Sequence, residues 1–545
     1  VAKDSLFVCS DAGLVEIRAS VEKHRLDRVV VASCTPRTHE SLFQANLEEA
    51  GLNRYLLEFV NIRDQCSWVH INERQRATEK ATDLIRMGVA KAALLQPLDR
   101  TELQVQPAAA VIGGGMAGMT VALSLARRGF SVTLIERQKQ LGGLLLELDR
   151  LYPTGECARD LVECHVTEVS NHPNIEVLTS AELVEAKGYV GSFELTVRSR
   201  AFGMDLPVHA GVIVVATGAQ EFKPEGMHRY GQDSTVITQL ELEHHLTSGS
   251  LPSTLATVVM IQCVGARDEK HAYCGRTCCL TAIKNAIQLK ERVPGVEVHI
   301  LYRDIEVYGA HFEEYYSAAR DLGVVFSRYR YGDGPQVNLS TRRVIVYDEM
   351  LGANISIPFD MVILSAPMIP RPGTQELAKL LKIPVDEYGF FLEAHVKLRP
   401  LDFATDGIYL CGSAHWPAHL DEIIGQAYGA AARAATVLSK DQIRASGVVA
   451  KVNEYLCRGC KRCTEVCEFG AVQLVELEAD RVPAGQVYGQ HEAGRMNDTR
   501  TVARVNPVLC KGCGACAVVC PTCAMQALHF TDSQVTAMVQ AAIGG

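Results

Sequence analysis

No stretch of about 18 consecutive apolar residues occurs in this 545-residue chain, so the sequence holds no candidate membrane-spanning helix. The opening, VAKDSLFVCSDAG, lacks the basic segment and apolar core of a secretory signal, and also lacks a Met. A basic excess is missing as well. The net charge of −9 argues against nucleic acid as a partner, because phosphate binding needs a basic face. No Ser/His/Asp arrangement, paired-carboxylate motif or zinc-protease motif stands out. A terminal substrate is therefore expected on a partner protein. Otherwise the composition, 48% hydrophobic and 21% charged, is that of an ordinary globular protein long enough for three or four domains.

Cysteine is what the chain has in quantity, with 19 residues. Disulfide frameworks favour small, loop-rich secreted domains. Here the thiols cluster at metal-ligand spacings beside a nucleotide fold, which points to iron–sulfur clusters in a reducing cytoplasm.

The nucleotide fold announces itself at residues 108–143. An apolar strand (Ala108–Ile112), a glycine turn, a helix (116–128) and a second strand (Ser131–Ile135) follow one another. Gly113, Gly115 and Gly118 form G-x-G-x-x-G: one glycine for the turn, one for approach of a diphosphate, one for helix–strand packing. The helix N-terminus offers free N–H groups to phosphates. Glu136 ends the second strand, where an acid binds a ribose hydroxyl. Arg137 with Gly142 and Gly143 resembles the E-R-x-x-x-x-G-G signature of two-dinucleotide flavoproteins such as the thioredoxin reductases, whose first site holds FAD. On the same resemblance, Thr217 and Gly218 (in VIVVATG) stand at the joint between nucleotide domains. Gly412 and Ser413 (in TDGIYLCGS) complete the flavin site, with Ser413 where that family usually has Asp. Gln426 and Ala427 follow Gly425 where a helix N-terminus would face the flavin ring.

Residues 253–359 occupy the place of a second nucleotide domain, yet no G-x-G-x-x-G follows the strand expected at 257–262. Without those glycines the backbone cannot cradle a diphosphate. Instead come Cys263, Cys274, Cys278 and Cys279, in CVGARDEKHAYCGRTCC. The crowding suits a 4Fe–4S cluster better than zinc, whose sites show paired C-x-x-C units. From about 446 a further pattern begins. Cys457, Cys460, Cys463 and Cys467 give C-x2-C-x2-C-x3-C, and Cys510, Cys513, Cys516 and Cys520 repeat it before Pro521. In such pairs the fourth thiolate crosses over. Cys457, Cys460, Cys463 and Cys520 are thus expected on one cluster, and Cys510, Cys513, Cys516 and Cys467 on the other. Cys523 is left over, and the polar spacer 474–504 is a candidate partner surface.

Residues 1–105 read as a small α/β unit with apolar strands at 5–9 and 28–34 and helices at 14–23, 39–49 and 73–95. Cys9, Cys34 and Cys66 can meet at one sheet edge as part of a further cluster, or be three buried thiols; the spacing does not choose. Cys157, Cys164 and Cys411 are read as bystanders. Short strands at 175–180 and 193–198 lead from the first flavin segment back to VIVVATG.

Taken together, N-I-R-x-Q-x-S-W-V-H (61–70), A-S-C-T-P-R-T-H-E (32–40), the flavin turn and C-V-G-A-R-D…Y-C-x-R-x-C-C closely resemble the A-type subunits of heterodisulfide reductase. The resemblance implies FAD, at least three 4Fe–4S clusters and a cytoplasmic oxidoreductase component, dimeric within a larger complex. Its partners would be ferredoxin and other redox proteins: those resembling the B and C components of heterodisulfide reductase, hydrogenase or formate dehydrogenase, or aromatic acyl-CoA reductase. It also implies flavin-based electron bifurcation, with Lys284 reaching flavin N5; the alternative for Lys284 is a solvated helix lysine. Many members carry an extra ferredoxin module where this chain runs 198–210 directly, and the usual C-x-C-G opening is absent. The expected architecture is α/β, a thioredoxin-reductase-like two-dinucleotide flavoprotein. It comprises an N-terminal α/β domain (1–105), an FAD domain (106–252 and 360–440), a degenerate second nucleotide domain (253–359) and a two-cluster ferredoxin domain (446–545). Two other readings stay open: an NAD(P)H oxidoreductase like the small component of glutamate synthase, and a non-bifurcating electron-relay scaffold.

Overall fold

A computed structural model describes residues 1–252, 254–477 and 500–544. The chain forms two compact units, Gln104–Ile443 and a second made of Val1–Leu103 with Arg444–Gly545. The main elements of the first are β1 (Ala108–Ile112), α1 (Met116–Ala126), β2 (Ser131–Ile135), β3 (Ile175–Leu178) and β4 (Val212–Val215). After them come β5 (Val236–Thr238), α2 (Gln239–Ser248), β6 (Thr257–Ile261), α3 (Cys278–Arg292), β7 (Glu297–Tyr302), β8 (Val325–Arg328) and β9 (Met361–Leu364). The last two are β10 (Ile408–Leu410) and α4 (Leu420–Leu438).

Two parallel five-stranded sheets organise this unit, ordered β10-β4-β1-β2-β3 and β5-β9-β6-β7-β8. Their central strands are continuous apolar runs, as burial on both faces requires. Every residue of α1 is buried, because the helix packs on both the first sheet and the alanine-rich face of α4. The second sheet reaches beyond the segment expected for it. Both β5 and α2 precede residue 253, and β9 follows 359, so the boundaries at 252/253 and 359/360 move outward. Such short apolar strands carry no local mark of the sheet they will join. An antiparallel sheet of Ala181–Tyr189, Ser192–Ser199 and Met204–Ala210 lies between β3 and β4 in the chain; the sequence pattern marks only its middle strand.

In the second unit, strands Val29–Ser33 and Leu57–Asn61 pair in parallel, with helices Asp11–His24, Pro36–Glu49 and Arg74–Ala92. Instead of the strand expected over 5–9, residues 6–9 form a turn. Ser10 ends it, its hydroxyl donating to the Phe7 carbonyl (2.7 Å) and accepting from Gly13 N–H (3.3 Å) to cap the first helix. Leu6 and Phe7 stay exposed. The C-terminal part pairs Ala450–Val452 with Met525–Ala527 and Val472–Leu477 with Arg500–Val505. Those last two strands hold the ends of the polar spacer; its middle, 478–499, lies outside the described residues.

The chain's end is clamped onto its beginning within this unit. Helix Asp532–Ile543 packs along Arg74–Ala92, and Gln534 Nε2 donates to the Leu94 carbonyl (3.1 Å). Lys91 is buried with Glu58 at 2.8 Å, its ammonium 3.8 Å from the Phe530 ring centroid. Beside it, His529 Nε2 lies 3.2 Å from the Tyr55 carbonyl. Burial first, then the Lys91 charge, push His529 down to about 4. An unfolded histidine titrates near about 6.5. Between those values the unfolded chain takes a proton that the folded one refuses, so this group's effect lowers stability as pH falls through the window. Replacing His529→Gln is expected to remove a stability loss of up to roughly 3 kcal/mol between neutrality and about pH 4. Denaturant midpoints of the two proteins measured across that range check it.

Candidate flavin cavity and thiol sites

A cavity of about 580 Å³ opens at the carboxyl end of β1. Its floor is the glycine turn. Gly113 has φ +111°, and a Cβ there would stand 2.3 Å from the Ala216 carbonyl oxygen. A Cβ on Gly118 would lie 1.8 Å from the Gly113 carbonyl oxygen, so only glycine lets α1 sit this close to β1. Gly115 differs: the nearest atom to its Cβ would be Gly143 Cα at 3.9 Å, because that face is open to the cavity. Gly142 and Gly143, with φ +120° and +59°, close the turn from the other side, Gly142 N–H donating to the Gly114 carbonyl (2.8 Å). Glu136 is buried, its carboxylate accepting from Gly114 N–H (2.6 Å) and Gln138 N–H (2.7 Å). Arg137 Nη1 donates to the Pro372 carbonyl (2.8 Å).

Thr217 and Gly218 form the wall above the turn, and the Thr217 hydroxyl is buried without a partner. Ser413 also reaches the wall. Gly412, Gln426 and Ala427 do not. Gly412 N–H donates to Gln426 Oε1 (3.0 Å), which steadies the Ser413 turn from behind, and Ala427 is in the core. The helix N-terminus expected at 425–427 lies earlier. His419 caps α4, and its N–H donates to Glu422 Oε2 (2.9 Å), so Gly425 falls in the second turn. His415 is buried, 2.8 Å from Glu393 and against Trp416, away from the cavity wall. An open glycine face at a helix N-terminus, a buried acid beyond β2 and an orphaned hydroxyl fit a bound dinucleotide.

Lys284 is not a solvated lysine. It is 2% exposed, its Nζ 2.5 Å from Glu243 Oε1 and donating to the Arg150 carbonyl (2.8 Å), all at the cavity wall. Burial pushes its pKa down, and Glu243 opposes that shift. Sequence reasoning misses Glu243, which sits on α2; an acid 41 positions before its lysine carries no local signal.

Cys278 stands in the same wall and begins α3. Cys279 is hydrogen-bonded to it, and that bond raises Cys278 and lowers Cys279. Cys263 follows β6 in the left-handed region (φ +60°), and burial, then Cys279, push it up to about 11. Cys274 accepts from Arg276 N–H (3.4 Å) and feels Cys279 after its own burial. All four thiols therefore lie within mutual influence. Among the described residues no three His, Cys, Asp or Glu close around a single metal ion. Ligands of one ion all stand about 2.3 Å from it, whereas cubane thiolates each bind a different iron and stand further apart.

In the C-terminal part Cys463 sits among Cys457, Cys460 and Cys520, and Cys516 among Cys510, Cys513 and Cys467. Backbone N–H groups aim at the sulfurs: Ala503 at Cys457 (3.3 Å), Ala471 at Cys467 (3.3 Å) and Ala450 at Cys510 (3.2 Å). Such donors suit thiolates holding iron. Cys460, Cys513 and Cys523 are exposed, while Cys411 is in the flavin-side core. Near the N-terminus, Cys34 directly follows strand Val29–Ser33, and Cys66 is buried in the turn of π-helix Arg63–Trp68 after the neighbouring strand. Cys9 lies in the turn before the first helix, not at a strand end.

These features define a flavin- and iron–sulfur-dependent oxidoreductase of the two-dinucleotide class. The family model for pyridine nucleotide-disulphide oxidoreductases matches residues 107–434, and that for 4Fe-4S dicluster domains matches 456–534. The A-type component of the H(2):CoB-CoM heterodisulfide,ferredoxin reductase of Methanothermobacter thermautotrophicus is 34% identical over 88% of this chain and 86% of its own. The A-type iron-sulfur component of the CoB–CoM heterodisulfide reductase of Methanocaldococcus jannaschii is 33% identical over 99% of this chain and 93% of its own. The chain belongs to this family, the A-type subunits of heterodisulfide reductase, and is an electron-transferring flavin and iron–sulfur protein. Among the described residues no helix is long and apolar enough to cross a membrane.

Gly118→Ala is expected to cost the unit more than ~3 kcal/mol by forcing α1 off β1, seen as a lowered thermal midpoint. Gly115→Ala should leave that midpoint almost unchanged and still weaken FAD binding, because its Cβ fills only the cradle.

Proposed function

We propose that the chain is the electron-splitting centre of a cytoplasmic multi-subunit reductase, dimeric within it. FAD occupies the cavity, and three 4Fe–4S clusters sit on Cys263/Cys274/Cys278/Cys279, Cys457/Cys460/Cys463/Cys520 and Cys510/Cys513/Cys516/Cys467. The observation that carries the reading is that Cys278 belongs both to the cavity wall and to the four-thiol group. Bound FAD supplies exchange of one or two electrons, and each cluster exchanges one. Gly113, Gly115 and the α1 N-terminus bind the diphosphate, and Glu136 holds the ribose. Lys284 presents a buried ammonium paired with the equally buried Glu243, so the cavity wall carries a proton-bearing cation at a fixed position. The relative from M. thermautotrophicus is named for two acceptors, a heterodisulfide and ferredoxin. A protein that receives electron pairs and parts them between a high- and a low-potential acceptor fits such a pairing. Ferredoxin and further redox subunits are the partners, with exchange at the C-terminal thiols.

Cys278→Ser in the full chain should remove one cluster's share of iron and sulfide, leaving FAD and the paired-cluster electron paramagnetic resonance signals. Full iron content in that variant overturns the ligand set. In the reconstituted complex, reduction of the high-potential acceptor should stop when the low-potential acceptor is withheld; undiminished reduction makes the chain a simple relay. Rapid anaerobic bleaching of the isolated protein by NADH or NADPH would turn the reading into a nicotinamide-dependent one.

A further inference from the structure

Arg371 directly follows the short strand Met368–Pro370, and its side chain enters the wall of the flavin cavity. Its Nε donates to the Ala219 carbonyl (3.1 Å), which fixes the inner edge of the guanidinium. Among the described residues its two terminal nitrogens have no hydrogen-bond or ion-pair partner. Arg137 stands in the same wall, tied by Nη1 to the Pro372 carbonyl (2.8 Å), and likewise meets no carboxylate in an ion pair there. Glu136, an acid of the same wall, is already engaged by Gly114 and Gln138 N–H. Burial and the Arg137 charge both push Arg371 below the usual arginine range.

Two like-charged guanidiniums in one wall of a half-enclosed cavity, with the terminal donors of the partly buried Arg371 unused, are a costly arrangement until an anion neutralises them. The position of that anion follows from neighbours. A Cβ on Gly113 would touch Ala216 and, at 3.0 Å, Thr217 Cα, so the glycine turn abuts the 216–217 backbone. A Cβ on Gly218 would stand 3.9 Å from Arg371 Nε. Arg371 is therefore on the side of the cavity reached from the glycine turn by way of Thr217 and Gly218, and the Thr217 hydroxyl between them is buried and unpartnered. One face of a diphosphate would take the turn and the α1 N-terminus; the other face would still need donors.

We propose that Arg371, with Arg137 beside it, is the second jaw of the diphosphate site, gripping the face of the FAD diphosphate turned away from the glycine turn. This rests on the reading that the cavity holds FAD. A planar guanidinium anchored through Nε keeps both terminal nitrogens parallel, the fork that matches two phosphate oxygens. An ammonium from lysine can supply charge there but not the paired geometry.

The test uses full-length, cluster-loaded protein stripped of flavin, titrated with FAD and separately with ADP as a competitor. Arg371→Gln is expected to weaken both by about 10- to 100-fold and to flatten the salt dependence of binding, and Arg371→Lys to recover part of the loss. Iron content and thermal midpoint accompany each variant, as a folding control. Unchanged FAD and ADP affinity in Arg371→Gln overturns the proposal. So does a loss confined to FAD with ADP unaffected, which would put Arg371 at the flavin end. Failure of the unsubstituted protein to bind FAD would instead bring down the flavin reading itself.

Discussion

The helix α3 begins with two adjacent thiols, and that placement constrains the rest of the site. In a dinucleotide domain the turn after the corresponding strand presents bare backbone to a phosphate. Here the loop from β6 to α3 carries Cys263 and Cys274, and the first turn of the helix carries Cys278 and Cys279. The N-terminus of α3 and the arginines Arg267 and Arg303 act towards the thiolate form, against the burial that pushes Cys263 up. Cys278 also faces the cavity of the first sheet, so under the proposed function a cluster on these sulfurs and a flavin in the cavity would share a wall.

The same helix supplies the cavity's buried cation. Lys284 lies a turn and a half beyond Cys278, shielded from solvent, and Glu243 from α2 balances it. A lone ammonium at that depth would be expelled or neutralised; the pair persists because Asp149 N–H and the Arg150 carbonyl complete its hydrogen bonds. The wall therefore carries a buried, internally balanced charge pair at this point. Arg137 and Arg371, in the same wall, have no such counter-ion among the described residues, so these parts of the cavity differ in what they ask of a ligand.

Much of the site is legible in the chain because the motifs are local. Gly113, Gly115 and Gly118 span six residues, and each C-x2-C-x2-C-x3-C run fewer than a dozen, so spacing alone tells which backbone turns tightly and which thiols sit together. Where the pattern misleads, the deciding contact is distant or the competing signal subtle. Residues 5–9 look like a strand, but among the described residues no strand pairs with them, and the Ser10 hydroxyl donates to the Phe7 carbonyl as it caps the helix. The start of α4 is set by the His419–Glu422 cap rather than by the glycine at 425. Strands β5 and β9 fall in the sheet opposite to the one their position in the chain suggests, because an apolar run of three or four residues fits either one.

The amino-acid order by itself determined the chemistry: which glycines free the backbone, which cysteines recur at iron-ligand intervals, and where the second glycine turn is missing. Those are properties of neighbours in the chain. Tertiary structure alone decided that Cys278 faces the cavity, that Lys284 is buried against Glu243, and that Arg371 arrives beside Arg137 with its terminal donors unpaired among the described residues. Each of these joins residues from separate crossovers of parallel sheets, and only the folded register of the strands brings their side chains to one wall.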